Sequence, residues 1–150
     1  MQWKPNTTVA AIIERDGRFL MVREHTPHGV RLNQPAGHLE YGETLPAAVA
    51  REALEETGYP ATATALVGIY LADKEDSADI TYLRFAFACD AAAEPDDRQL
   101  DAGIIEAVWL SADEIRAQQA SWRSPLVGRC VDDYLAGQRL PLSVLHHHGH

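Results

Sequence analysis

Residues 37–59 read GHLEYGETLPAAVAREALEETGY, and this stretch decides the fold. Thr44 stands as an N-cap ahead of Leu45 and Pro46, and Gly58 suits a left-handed C-terminal cap, so the run between them predicts a helix of about three to four turns. At about 100° per residue, Glu52, Glu55 and Glu56 share roughly 100° of arc, and Ala47, Ala50, Ala53 and Leu54 gather opposite. One face is expected to pack and the other to carry three carboxylates. Like charges at i, i+3 and i+4 repel, and a bound cation removes the conflict. Hard divalent ions such as Mg²⁺ take oxygen ligands and share their remaining positions with water and substrate phosphates, so the helix reads as a platform for phosphate chemistry. A solvated acidic face is the alternative.

The spacing decides between them. Gly37, five residues, Glu43, seven residues, and then Arg51, Glu52, Ala53, Leu54, Glu55, Glu56, Thr57, Gly58 and Tyr59 resemble the signature box of the Nudix hydrolases. Ala53 alone is smaller than the bulky aliphatic usual at its place. The resemblance implies that Glu55 and Glu56, with Glu52 and the Gly37 carbonyl, hold Mg²⁺ or Mn²⁺. It also implies a catalytic group of Glu52 as base, with Arg51 pairing a box carboxylate such as Glu43 to orient the loop and helix. A further carboxylate often comes from a late loop or strand in this family, and Asp101 and Glu106 are the two candidates.

Working outward, residues 7–14 and 18–23 are β-branched and apolar runs joined at Asp16-Gly17, which predicts an antiparallel hairpin. Residues 24–33 read as a loop bearing His25 and His28 as surface residues, with Arg23 and Arg31 as candidate phosphate contacts. Residues 34–37, QPAG, form a strand-like entry to the helix. Residues 61–73 and 80–89 read as strands about a polar loop, and Tyr82, Arg84, Ala86 and Ala88 share one face of the second. A mid-strand Arg84 needs anionic partners, either a core Glu or a substrate phosphate. After a charged connection over 94–103, residues 106–110 read as the last strand. Ser111 and Glu114 make a capping box for a helix to about residue 119, and a final helix opens at Ser124-Pro125 and ends at Gly137. The order suits a mixed sheet covered by helices, and the resemblance implies the Nudix α/β/α sandwich.

Length and charge bound the rest. A chain of 150 residues with 46% hydrophobic and 23% charged residues is expected to form one domain over 1–150, with about 143–150 as a flexible, tag-like tail. The histidines at 146–148 and 150 are read as part of that tail rather than as a metal site. No apolar run reaches the ~20 residues of a membrane span, and residues 1–8 lack the apolar region of a signal peptide. Cys89 and Cys130 form no CxxC pair, so buried thiols in a reducing, cytoplasmic setting are expected. A net charge of −9 argues against a nucleic-acid polymer as partner but admits a small phosphorylated substrate carried with its metal. Either a monomer or a homodimer fits.

Three segments narrow the resemblance. LNQPAGHLE (32–40), RSPLV (123–127) and GQRLPL (137–142) are similar to the NudJ-type phosphatase branch of the family. That branch implies hydrolysis of nucleoside tri- and diphosphates, and of the pyrophosphate of the thiamine pyrimidine precursor, with release of orthophosphate. The family at large implies a pyrophosphohydrolase giving monophosphate and pyrophosphate. A non-catalytic nucleotide-sensing module is a third reading, set against by the retained glutamates.

Overall fold

The computed structural model describes residues 2–149. Its elements run β1 (Asn6–Ile12), β2 (Glu14–Arg15), β3 (Arg18–Thr26), β4 (Gly29–Asn33), β5 (Ala36–His38), α1 (Leu45–Thr57), β6 (Ala61–Asp73), β7 (Thr81–Ala91), β8 (Ile104–Ser111), α2 (Ala112–Ala117) and α3 (Leu126–Leu135). Short 3₁₀ turns lie at Gln119–Ser121 and Leu142–Val144.

Alternation along the first apolar run sends Val9, Ala11 and Ile13 to one side and Ala10 and Ile12 to the other, and all five are buried. A strand buried on both faces must lie inside a layered fold. The first set packs with Ala48, Val49 and Ala53 of α1. The second packs with Ile115 of α2 and Val127, Cys130 and Val131 of α3. The layers are therefore helix, sheet, helix, as expected. One sheet has the order β5-β1-β7-β6, with β1 and β7 parallel and the other pairs antiparallel, so it is mixed. The second sheet joins β2, β3 and β4, with β8 on the other side of β3.

Several expectations change. The turn at Asp16-Gly17 forms, but the hairpin is short, with Glu14 and Arg15 paired to β3 and the Leu20 amide donating to Ile13 O, because β1 pairs with β5 and β7 in the other sheet. Residues 24–33 are not a loop: β3 runs on to Thr26, turns at 27–28 and returns as β4. Its charged side chains hid a solvent-facing hairpin. The packed face of α1 is also rotated from the expected one. Ala48, Val49, Glu52, Ala53, Glu56 and Thr57 are buried, whereas Ala47 is exposed and Ala50 and Leu54 are only partly covered. Alanine carries too little apolar area to set the orientation of a helix, and the two glutamates turn inward with Val49.

The helix ends are as read. Thr44 accepts from the Ala47 amide at 3.1 Å, and Gly58, at φ 80°, returns its own amide to Leu54 O at 2.9 Å. Ser111 and Glu114 form the reciprocal capping box of α2, which ends at Ala117. The C-terminal segment stays docked into the stretch expected as a tail, since the 3₁₀ turn reaches Val144 and Leu145 packs against the core. Leu66 and Leu140 exchange backbone hydrogen bonds, and Leu142 and Leu145 pack on the α1-side core. His150 lies outside the described residues. No helix among the described residues is long and apolar enough to cross a membrane.

Candidate active site

The site begins where β5 meets α1. Strand β5 holds the backbone of Ala36 and Gly37 against the buried side of the helix, and the Ala36 amide donates to Glu56 Oε1 at 2.9 Å. A Cβ at Gly37 would collide with the Glu52 carboxylate, so glycine leaves the space that this carboxylate occupies and any larger residue would displace it. Burial pushes the Glu56 carboxyl up to about 8, against the opposing pull of the Ala36 amide. Glu52 is raised as well, first by burial, although Arg51 counteracts it.

Arg51 gathers the loop and the helix. Its Nε and Nη2 donate to Glu43 Oε2 and Oε1 at 2.9 and 2.7 Å, a two-pronged pair that holds the Glu43 carboxyl below its ordinary range. Nη1 reaches Glu52 Oε1 at 2.8 Å and Glu55 Oε1 at 2.7 Å, and Nη2 reaches the carbonyl of His38 at 3.0 Å. Glu43 in turn accepts from the Glu40 amide at 2.8 Å. A single guanidinium thus ties residues 38–43 to α1 and offsets the repulsion among the carboxylates.

Asp101 arrives from the connection before β8. Its amide donates to Glu55 O at 3.0 Å, and the Asp96 amide donates to Gly58 O at 2.8 Å, so this connection is laid along the end of α1. Carboxylate oxygens of Glu52, Glu55 and Asp101 come within 4.8 Å of one another. This all-oxygen set, with no thiolate or imidazole, fits one hard divalent cation at about 2.1–2.5 Å from each ligand. Burial, and then Glu55, raise the Asp101 carboxyl, as expected for anions gathered without their counter-charge. Glu106, the other late candidate, is not brought here. Its register partner on β3 is Arg23, and the two pair at 3.5 Å.

Of the three carboxylates Glu52, Glu55 and Asp101, Glu52 lines a neighbouring cleft of about 700 Å³, together with Glu56. Gly37, His38, Glu52 and Glu56 line it together with Tyr82 and Arg84 of β7, Arg31 of β4, and Arg123, Ser124 and Leu126. Arg23 does not line it, since its Nη1 is bonded to Gln118 at 2.7 Å. Arg31 does. Arg84 is 6% exposed and, among the described residues, has no carboxylate within ion-pair distance. Its nitrogens donate instead to Gln34 Oε1 and Asn33 Oδ1, each at 3.0 Å, so of the two expected partners a core Glu is not the one the fold supplies. Gln34 is fixed in turn by donating to Val127 O at 2.8 Å. Asn33, Gln34 and Thr8 were not singled out in the sequence, although the first two fall within LNQPAGHLE. Also unread was the edge-on pair of His38 and Tyr82, with ring centroids 6.3 Å apart, which places an aromatic wall beside the box.

Residues 3–130 match the NUDIX domain. The chain belongs to the Nudix hydrolase family. This Nudix hydrolase is 38% identical over 147 residues to the phosphatase NudJ of Escherichia coli K12, covering 95% of this chain and 92% of that protein. It is also similar to the solved structure of a NUDIX hydrolase from Nitrosomonas europaea, at 50% identity and a TM-score of 0.90, covering 97% of this chain and 98% of that one. A MutT NUDIX hydrolase from Burkholderia pseudomallei shares the fold at 20% identity and a TM-score of 0.72, covering 87% of this chain and 98% of that one. The chain is therefore an enzyme of the hydrolase class and a relative of NudJ, and enzymes of this family generally work with divalent metals.

Proposed function

We propose that this enzyme hydrolyses phosphoanhydride bonds in nucleoside tri- and diphosphates and related small pyrophosphates, the thiamine pyrimidine precursor among them, with release of orthophosphate. One observation carries the reading. Two of the three segments that resemble the NudJ branch contribute residues to the carboxylate cleft: Asn33, Ala36, Gly37, His38 and Glu40 from the first, and Arg123, Ser124 and Leu126 from the second. The third, at 137–142, docks on β6, with Gln138 Nε2 donating to Val67 O at 2.7 Å. Two of the three segments thus lie where substrate would lie.

Glu52, Glu55 and Asp101, with Glu56 and the Gly37 carbonyl beside them, would hold Mg²⁺ or Mn²⁺. When bound, such an ion neutralises phosphate oxygens and acidifies water. The chain's own part is positioning and proton transfer. Arg51 holds Glu52 and Glu55 in register with the loop, so that the carboxylates need no rearrangement when the substrate arrives. Glu52 accepts the proton of the attacking water, since burial raises its basicity relative to an ordinary carboxylate and it faces the cleft. Arg84 and Arg31, which line the cleft, contact substrate phosphate. The net charge of −9 supports small substrates rather than a nucleic-acid polymer.

A panel of nucleoside tri- and diphosphates and thiamine-precursor pyrophosphate, with orthophosphate and pyrophosphate assayed independently at early times, tests the reading. Diphosphate and orthophosphate are expected first from a triphosphate. Monophosphate and pyrophosphate as first products would overturn it and leave the family assignment intact.

A further inference from the structure

Arg84 is a buried cation whose partners leave its charge unbalanced. Transfer of a guanidinium from water into a protein interior is costly without a counter-charge, and neutral amide oxygens satisfy its hydrogen bonds without cancelling that charge. Nη1 donates to Gln34 Oε1 and, at 3.8 Å, to Cys130 Sγ, while Nη2 donates to Asn33 Oδ1. A guanidinium has five N–H groups, so Nε–H and one hydrogen on Nη2 remain without a protein acceptor. No fully buried side-chain donor among the described residues lacks a partner, so the unpaired Nε is one that reaches the cleft.

The neighbour of Arg84 strengthens the case. Thr8 of β1 is its register partner on the parallel strand, lies on the same face of the sheet and lines the same cleft. Its side chain is 8% exposed, and its hydroxyl makes no hydrogen bond among the described residues. A free hydroxyl donor beside a guanidinium with spare donors, all nearly buried and facing one cavity, forms an anion pocket. Thr8 is also the register partner of His38 on β5, next to Gly37. Thr8 and Arg84 lie one and two strand spacings, roughly 5 and 10 Å along the sheet, from β5 and on the face toward α3, whereas Glu52 comes from the α1 face; all three line the one cleft. One pyrophosphate or triphosphate chain can span this pocket and the Glu52 corner.

We propose that Arg84 and Thr8 form a receptor for an unsubstituted terminal phosphate, so that the enzyme selects substrates whose phosphate chain ends free over those capped by a second sugar or nucleoside. This deepens the proposed phosphatase reading and rests on it for the identity of the group released. Arg84 and Thr8 expose only 6% and 8% of their surface to the wall of the cleft, so one end of a ligand, rather than its length, can touch both. A terminal phosphate brings more charge and more acceptor oxygens to Arg84 than a capped one, and the charge left unbalanced by Asn33 and Gln34 rewards that difference.

Inorganic phosphate is the probe. The full-length chain in excess chelator is titrated with phosphate while the side-chain Nε–H resonances of the arginines are followed by NMR. One Nε–H signal, assigned to Arg84 by its loss in Arg84→Lys, is expected to shift with phosphate in the millimolar range. Binding should weaken at least tenfold in Arg84→Lys, because lysine keeps the charge and loses the fork. Thr8→Val, nearly isosteric, is the second variant and should weaken binding about threefold or more. With metal restored, both variants should raise KM for a nucleoside diphosphate far more than for a dinucleoside or sugar-capped pyrophosphate. Phosphate binding unchanged in both variants, or an equal rise in KM for free-ended and capped substrates, overturns the proposal. If phosphate binds to Arg84 without metal while the triphosphate yields pyrophosphate, the receptor stands and the orthophosphate reading of the reaction fails.

Discussion

Replacing Glu56 by glutamine should change how the metal-free enzyme responds to pH. Burial holds the Glu56 carboxyl at about 8 in the folded chain against 4.5 as its ordinary value. Between those values the native state keeps a proton that the unfolded chain has released, so stability falls as pH rises through this window and levels off above it. At about 1.4 kcal/mol per pH unit the whole gap is worth at most roughly 5 kcal/mol, and water entering the open cleft reduces this to an expected ~2–3 kcal/mol. Glutamine offers the same oxygen to the Ala36 amide and does not ionise, so Glu56→Gln removes this slope while keeping the hydrogen bond. Urea denaturation in excess chelator at pH 5, 7 and 9 measures it. The stability difference between Glu56→Gln and wild type should grow by ~2–3 kcal/mol in favour of the variant from pH 5 to pH 9. Glu52 and Asp101, also raised, act in both proteins and cancel to first order. Parallel pH profiles would refute the reasoning, and a profile of opposite slope would mean that Glu56 is held ionised in the fold.

Exhaustive chelation should abolish hydrolysis, and Mg²⁺ or Mn²⁺ should restore it; full turnover in chelator would sink the oxygen-ligand site at Glu52, Glu55 and Asp101. Glu55→Gln should lower kcat more than about a hundredfold, some 3 kcal/mol of lost transition-state stabilisation, with little change in melting temperature. Gly37→Ala, whose added methyl meets the Glu52 carboxylate, should weaken apparent metal affinity as read by metal titration of activity; an unchanged titration curve would show that strand β5 has slack. Arg51→Ala should destabilise the metal-free protein by about 3–5 kcal/mol, because Glu43, Glu52 and Glu55 lose their shared counter-charge, and saturating Mg²⁺ should recover part of the loss in thermal unfolding.

The spacing of Gly37, Glu43, Arg51, Glu52, Glu55 and Glu56 determined the helix, its caps and the family, because these interactions are local: a turn, a cap and neighbours one helical turn apart. The two-sided burial of β1 was equally implicit in its unbroken apolar run. Tertiary structure alone decided what that strand pairs with up to Ile12, since the same residues satisfy a hairpin or a sheet interior and only β5 and β7 choose between them. It decided which face of α1 is buried, because alanines give a weak orienting force and the close pass of Gly37 admits Glu52 and Glu56 inward. It also chose Asp101 over Glu106, through a backbone hydrogen bond to Glu55 across 46 residues that no periodicity announces. The amide partners of Arg84 lie about fifty residues away, at the end of β4 and just after it, so their neutrality, and the charge it leaves for a ligand, became visible only once the chain was folded.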